Sequence, residues 1–298
     1  MTEVPQPTPT TAATALAALG LPAAALVQQR VPKKLLIDNG AITAGDKRVI
    51  TEGVDEIHWL ASLKPSTVGV PAFVDGGEPP VREYLELAVV SVQLRADAKE
   101  HRIAELVHRA IPYPLLLLLE QPGALNLSVG HVRWAQNEAA KVILDGDPYE
   151  ARIDGSTPVA AVRSLLQALT LTQLPRTDLF ALVQGLIDVL TGFRASLLTG
   201  CPSTPPTRER AAAQRLALQR CIEIDSQIAQ LRGAAVKEKQ LPRQVALNLD
   251  VRRLTAERAK LIVSLGDLPQ SSRDLHHGRF SGKPENDISC RYFYFDLS

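Results

Sequence analysis

The chain has 298 residues, 45% of them hydrophobic and 22% charged, with a net charge of +1. These values allow one sizeable core plus appendages. They exclude a disordered polyelectrolyte and a protein drawn to nucleic acid by its overall charge. Three cysteines, Cys201, Cys221 and Cys290, are too few and too scattered for a disulfide framework and suit a reducing compartment.

Residues 1–10 hold three prolines and read as a disordered lead-in. Glu3 and the lack of a basic stretch before the Ala-rich segment Thr11–Ala25 argue against a secretory signal. No apolar run approaches the ~18 residues that a bilayer crossing needs, so a cytoplasmic protein without membrane contact is expected. Thr11–Leu19 and Pro22–Gln29 read as short helices broken by Gly20, followed by a turn at Asp38–Asn39–Gly40. Val49, Val54, Ile57, Leu60 and Leu63 fit one helical face over Ala44–Leu63, and Lys64–Pro65 ends it.

A β-rich block follows. Thr67–Phe73 and Glu83–Leu94 read as strands separated by a Gly/Pro loop. Lys99–Ile111 is an amphipathic helix with Ile103, Leu106, Val107 and Ala110 on one side. Tyr113–Leu119 is continuously apolar, as in a strand buried on both faces. After the Gln121–Pro122–Gly123 turn, Leu125, Leu127 and Val129 alternate with polar residues in a strand running toward Trp134. Lys141–Leu144 reads as an edge strand, and Pro158–Leu171 and Arg176–Leu198 as apolar helices.

Gly200–Thr207 is a linker, and beyond it lies an arm. Ala217, Cys221, Ile224, Ile228, Leu231 and Ala235 alternate spacings of four and three. Leu247, Val251, Leu254, Arg258, Leu261 and Leu265 do the same with one charged lapse, so the two seams predict an antiparallel hairpin. Between Arg208 and Lys260 twelve Lys/Arg face six Asp/Glu, a local excess of six that leaves the remainder of the chain at −5. The tail is irregular until the aromatic run Tyr292–Phe295.

The expected fold class is an α+β or α/β sandwich with one main mixed sheet, followed by helices and a C-terminal antiparallel coiled-coil-like hairpin. The expected division is a lead-in (1–20), an α/β core (21–155), an apolar helical layer (156–200), a basic hairpin (207–265) and an extended tail with an aromatic end (266–298).

Complete catalytic motifs are missing. A metal-dependent nuclease needs an acid followed by an acid-x-Lys pair to hold magnesium and polarise water. Glu83 and Glu86 are available, but Ala88 stands where the lysine belongs, followed by Ser91, Gln93 and Arg95. No phosphate-binding loop is present. Asp147–Pro148–Tyr149 resembles the Pro-Pro-aromatic loop of amino-group DNA methyltransferases only faintly and reads as a turn. His276–His277 and Cys290 lack metal-ligand spacing. His58, His101 and His108 fall on predicted helices with no Ser, Cys or Asp signature beside them. No catalytic residue, cofactor or metal is expected. The residues expected to bind a partner or nucleic acid are Lys237, Lys239, Arg243, Arg252 and Arg253 on the arm.

Three stretches carry a resemblance. They are Val31–Pro32–Lys33–Lys34 with Ile57–Thr67, Ala110–Pro114 leading into the apolar strand, and Val236–Gln240 with Arg243, Val245 and Leu247–Asn248. They resemble a bacterial and archaeal family known only as a domain of unknown function. That resemblance implies genes set beside helicases and DNA methyltransferases in restriction-like, phage-defence clusters. Relatives often place acidic residues and a closing lysine on the strand that here runs Val90–Arg95. With the missing catalytic motif and the basic hairpin, that context leads to the expectation of a non-catalytic accessory subunit of a DNA-processing defence complex, docking a helicase or methyltransferase and possibly DNA. The alternatives are a divergent nuclease using Asp55, Glu83 or Glu86, and a stand-alone DNA-binding module.

Overall fold

Five consecutive leucines, Leu115–Leu119, run through the middle of the fold and divide it into two cores. In the computed structural model, which describes residues 10–78, 80–135, 142–200 and 208–266, they lie on a strand buried on both faces. Alternate side chains of a strand point to opposite faces. Leu115, Leu117 and Leu119 therefore enter one core, and Leu116 and Leu118 the other.

In chain order the body comprises α1 (Ala12–Ala18), a 3-10 turn at Ala23–Ala25, β1 (Leu26–Arg30), α2 (Lys33–Asn39), α3 (Ala44–Gly53), β2 (Val54–Leu63) and α4 (Pro65–Val68). Then come β3 (Phe73–Val74), β4 (Glu83–Tyr84), β5 (Leu87–Leu94), α5 (Glu100–Ala110), β6 (Leu115–Gln121), β7 (Ala124–Val129) and β8 (Val132–Trp134). The chain continues with β9 (Val142–Leu144), β10 (Tyr149–Asp154), α6 (Val159–Ala168) and α7 (Leu179–Thr199). The arm is α8 (Arg208–Lys237) and α9 (Leu241–Gly266).

The main sheet has six strands in the order β1-β2-β5-β6-β7-β10. β5 and β6 run parallel, joined through α5, and the other neighbours are antiparallel, so the sheet is mixed as expected. One face meets α2, α3 and α5, whose Leu36, Ile50, Ile103, Leu106 and Val107 are buried against Ala88, Val90 and Val92. The other face meets α1, α6 and α7. β3–β4 and β8–β9 form two separate two-stranded ribbons.

Local chemistry explains the helix ends. Thr43 caps α3 in a reciprocal box with Asp46, and Asp46 is held in turn by Arg102 of α5 at 2.7 Å. Asp178 caps α7, which closes on Gly200 in the left-handed region. Gly40 ends α2 where a Cβ would stand 2.5 Å from the Leu106 carbonyl oxygen, so only glycine lets α2 approach α5.

Several sequence expectations are corrected. Pro22–Gln29 is not a helix but a 3-10 turn leading into edge strand β1. Ala44–Leu63 is two elements, α3 and β2. β2 carries bulges at Val54/Glu56 and Trp59/Ala61. Each bulge adds one residue between inward positions. That stretches the spacing from two to three and imitates a helix, as between Val54 and Ile57, both buried in the same core. Thr67–Phe73 is no strand: Pro65 starts the one-turn helix α4, and pairing begins only at Phe73.

Glu83–Leu94 divides between β4 and β5, which belong to different sheets. Val142–Leu144 pairs with β8 rather than with the main sheet. The main-sheet edge beside β7 is instead β10, which sequence reading passed over. α7 reaches membrane-spanning length and apolarity only with polar breaks at Gln184, Asp188 and Arg194, and 67% of its apolar window is buried in the fold. The lead-in up to residue 9, the linker at 201–207 and the tail from residue 267 lie outside the described residues.

Candidate interaction surface

The arm forms because each of its helices has a seam. Cys221, Ile224, Ile228 and Ala235 of α8 are buried, as are Leu254 and Leu265 of α9, with Leu231, Val251 and Leu261 packed beside them. Arg220 pairs with Glu257 at 2.8 Å and Arg258 with Asp225 at 2.6 Å, while Gln244 Nε2 donates to the Ala235 carbonyl. These cross-links fix an antiparallel hairpin. Arg258, the charged lapse in the second seam, has a carboxylate partner, which explains its toleration there.

The arm is tied to the body at its root. Arg215 of α8 pairs with Asp188 of α7, and Gln184 Nε2 donates to the same carboxylate at 2.8 Å. Gln184 Oε1 lies 3.1 Å from His131 Nε2, and His131 Nδ1 lies 2.9 Å from the Tyr84 hydroxyl. That hydroxyl also accepts from the Val132 amide at 3.0 Å. A continuous polar chain thus runs from the ribbon residue Tyr84 to the arm. Burial pushes His131 below its ordinary value and raises Tyr84 to about 12, so both are neutral at pH 7.

Excess charge sits farther out. Lys237, Lys239, Arg243 and Arg252 are exposed and form no ion pair among the described residues; Arg232, which sequence reading missed, behaves alike. Arg253 is exposed but pairs with Asp250 at 3.3 Å along the helix. The five expected residues do not make one patch. Lys237, Lys239 and Arg243 gather at the tip, where α8 turns into α9. Arg252 is nine positions beyond Arg243, about two and a half turns, and so projects from the opposite side of α9.

That opposite side holds a feature not anticipated from the sequence. Leu241 is 70% exposed, Val245 50% and Leu249 58%. At spacings of four they form one stripe, away from the buried Leu254 and Leu265. Arg252, eleven positions after Leu241 and about three turns on, extends it. Val236, 85% exposed, lies beside the tip at the end of α8. α9 therefore has two apolar faces, only one of which meets α8. The pattern was available in the sequence, but the stronger seam periodicity masks a second stripe on the same helix.

Of the carboxylates considered for nuclease chemistry, Asp55 and Glu86 are not brought together. Asp55 begins β2 and pairs with Arg95 at 3.7 Å. Glu86 precedes β5 at the far end of the β2/β5 pair, roughly 30 Å away at strand rise. It accepts from the Ser62 hydroxyl at 2.5 Å and pairs with Lys64 at 3.2 Å, a closed local arrangement. No group of three or more His, Cys, Asp or Glu side chains suited to a metal converges among the described residues.

The histidines are structural in placement. His58 is on β2, not on a helix. His101 on α5 bonds Glu150 at 2.8 Å, which raises its pKa. His108 is buried, 2.9 Å from the Ser128 hydroxyl, with no carboxylate bonded to its other nitrogen among the described residues. Asp147–Pro148 forms part of the loop between β9 and β10.

Over residues 19–257 the chain matches the family model described as Domain of unknown function (DUF4391), and it belongs to that family. No curated protein and no solved structure matches it.

Proposed function

We propose that the chain is a non-catalytic interaction subunit of a DNA-processing, restriction-like defence assembly, and that it docks a protein partner through the outer face of α9. The observation that carries this reading is the stripe of Leu241, Val245 and Leu249 opposite the hairpin seam, with Arg252 continuing it. Contiguous exposed apolar side chains on a helix are covered when a partner supplies a matching groove. Arg252, exposed and without an ion pair among the described residues, favours a partner surface with an apolar centre and acidic surroundings. DNA phosphates would use the cations but give no reason for the leucines. The gene-neighbourhood resemblance supports a helicase or DNA methyltransferase as that partner, acting in the cytoplasm.

The test is co-expression of the tagged full chain with the genes adjacent to it, followed by gel filtration. A stoichiometric complex is expected. The combined substitution Leu241→Ser, Val245→Ser and Leu249→Ser should release the partner while leaving thermal unfolding unchanged. A chain that elutes alone, or a complex indifferent to these substitutions, overturns the docking face. Tight binding to DNA without any protein partner, weakening steeply with salt, would favour the stand-alone DNA-binding module instead.

A further inference from the structure

Where the arm meets the body there is a cleft of about 520 Å³, walled by the loop before β10, by α7 and by α8. Arg194 lines it from α7, half-buried, and makes no hydrogen bond or ion pair among the described residues. Burial pushes its pKa below the ordinary arginine value, with Glu150 acting the other way. The guanidinium nonetheless stays charged. A partly desolvated cation without a partner costs stability, which is why such groups are normally matched.

The other charges on the cleft wall are matched, apart from Asp147. Arg215 pairs with Asp188, Asp145 with Arg82 and Arg133, Glu150 with His101, and Glu223 with Arg220. Asp147 is exposed to solvent and its field falls on His101. Around Arg194 the same cleft offers apolar surface from Tyr149, Leu218 and Ile222, with Tyr149 and Ile222 exposed toward it.

We propose that this cleft binds a small molecule with one anionic head, carboxylate or phosphate, on a flat apolar body. The head pairs with Arg194, where a bidentate contact suits the guanidinium fork. The body lies along Tyr149, Leu218 and Ile222. Tyr149 and Arg194 belong to the body of the protein, and Leu218 and Ile222 to the arm, so an occupied cleft fastens one to the other. This inference does not depend on the docking face of α9.

The experiment is thermal unfolding and calorimetric titration of the full chain with three probes: benzoate, phenyl phosphate and adenosine monophosphate. At least one should raise the unfolding temperature in a concentration-dependent way, and the preferred head group separates carboxylate from phosphate ligands. Arg194→Met keeps the aliphatic stem. It should weaken that probe tenfold or more, yet unfold without probe at or above the wild-type temperature, since it removes an unmatched charge. Ile222→Glu, on an exposed position of α8, should fold normally and also lose the response by placing a like charge in the cleft.

Three results would overturn the site: no response to any probe, an equal response in both variants, or an Arg194→Met chain that unfolds several degrees lower without probe. The last would show that the guanidinium serves the fold rather than a ligand.

Discussion

His108 makes the stability of this protein depend on pH in a calculable way. Its Nε2 lies 2.9 Å from Ser128 Oγ, its Nδ1 has no hydrogen-bond partner among the described residues, and its ring is buried. Burial pushes its pKa from the ordinary 6.5 down to about 3. Above pH 6.5 neither the folded nor the unfolded chain holds the proton, so this histidine costs nothing. Between pH 6.5 and about 3 the unfolded chain binds a proton that the folded chain refuses, and stability falls by about 1.4 kcal/mol per pH unit.

At pH 4.5 the loss from this one ring is therefore about 2 to 3 kcal/mol, a large part of the stability of an ordinary domain. Urea unfolding at pH 7.0, 5.5 and 4.5 measures it, with His108→Gln as the control that keeps a partner for Ser128 but does not titrate. The difference between the two profiles isolates His108. Both chains share the depressed His131, which loses stability in the same direction, and the raised His101, which gains it as pH falls. The wild type should lose about 2 to 3 kcal/mol more than the variant between pH 7.0 and 4.5. Parallel profiles would refute the reasoning.

Other perturbations have definite outcomes. Leu117→Ala, at a fully buried position of β6, should cost 2 to 5 kcal/mol or so in chemical denaturation, because the strand is flanked by packed neighbours that leave little room to collapse. Gly40→Ala should cost about 1 to 3 kcal/mol, since the added methyl meets backbone oxygens of Leu106 and Leu36 rather than a side chain that can turn away. Tyr84→Phe removes the hydroxyl that serves both His131 and Val132. It should cost about 1 to 3 kcal/mol in the same assay and accelerate amide exchange at Val132.

Sequence patterns revealed the central elements for a physical reason. β6 is apolar without interruption because both its faces are covered, and α5 shows a clean stripe because only one of its faces is. The hairpin was legible because its seams repeat over many turns, which gives periodicity the length it needs. β2 was misread because two bulges displace its inward residues, so neither period of two nor period of 3.6 holds along it. β10 was missed because Glu150, Arg152 and Asp154 on one face, and an exposed Tyr149 on the other, outweigh the buried Ala151 and Ile153 in any reading by composition.

The cationic residues of the arm were found as a charge excess. Their separation onto different sides of α9 needed helix geometry, and the distinction between Arg253, which is paired, and Arg252, which has no ion pair among the described residues, needed coordinates. Arg194 carried no sequence signal at all. An arginine in an apolar helix is ordinary, and only the surroundings reveal whether its charge is matched.

The edge strand β1 has one further consequence. It borders the six-stranded sheet and carries exposed Leu26 and Val27, the composition of a strand that recruits copies of itself into aggregates. Gln28 interrupts it, with φ at 53° and the pairing register shifting between Leu26 and Gln29. A left-handed residue in mid-strand turns the free amides and carbonyls on either side out of line with each other, so an approaching strand finds no straight ladder to extend. The strain stored at Gln28 thus works as a guard against polymerisation, and a sequence change that straightened β1 would trade that local relief for a stickier protein.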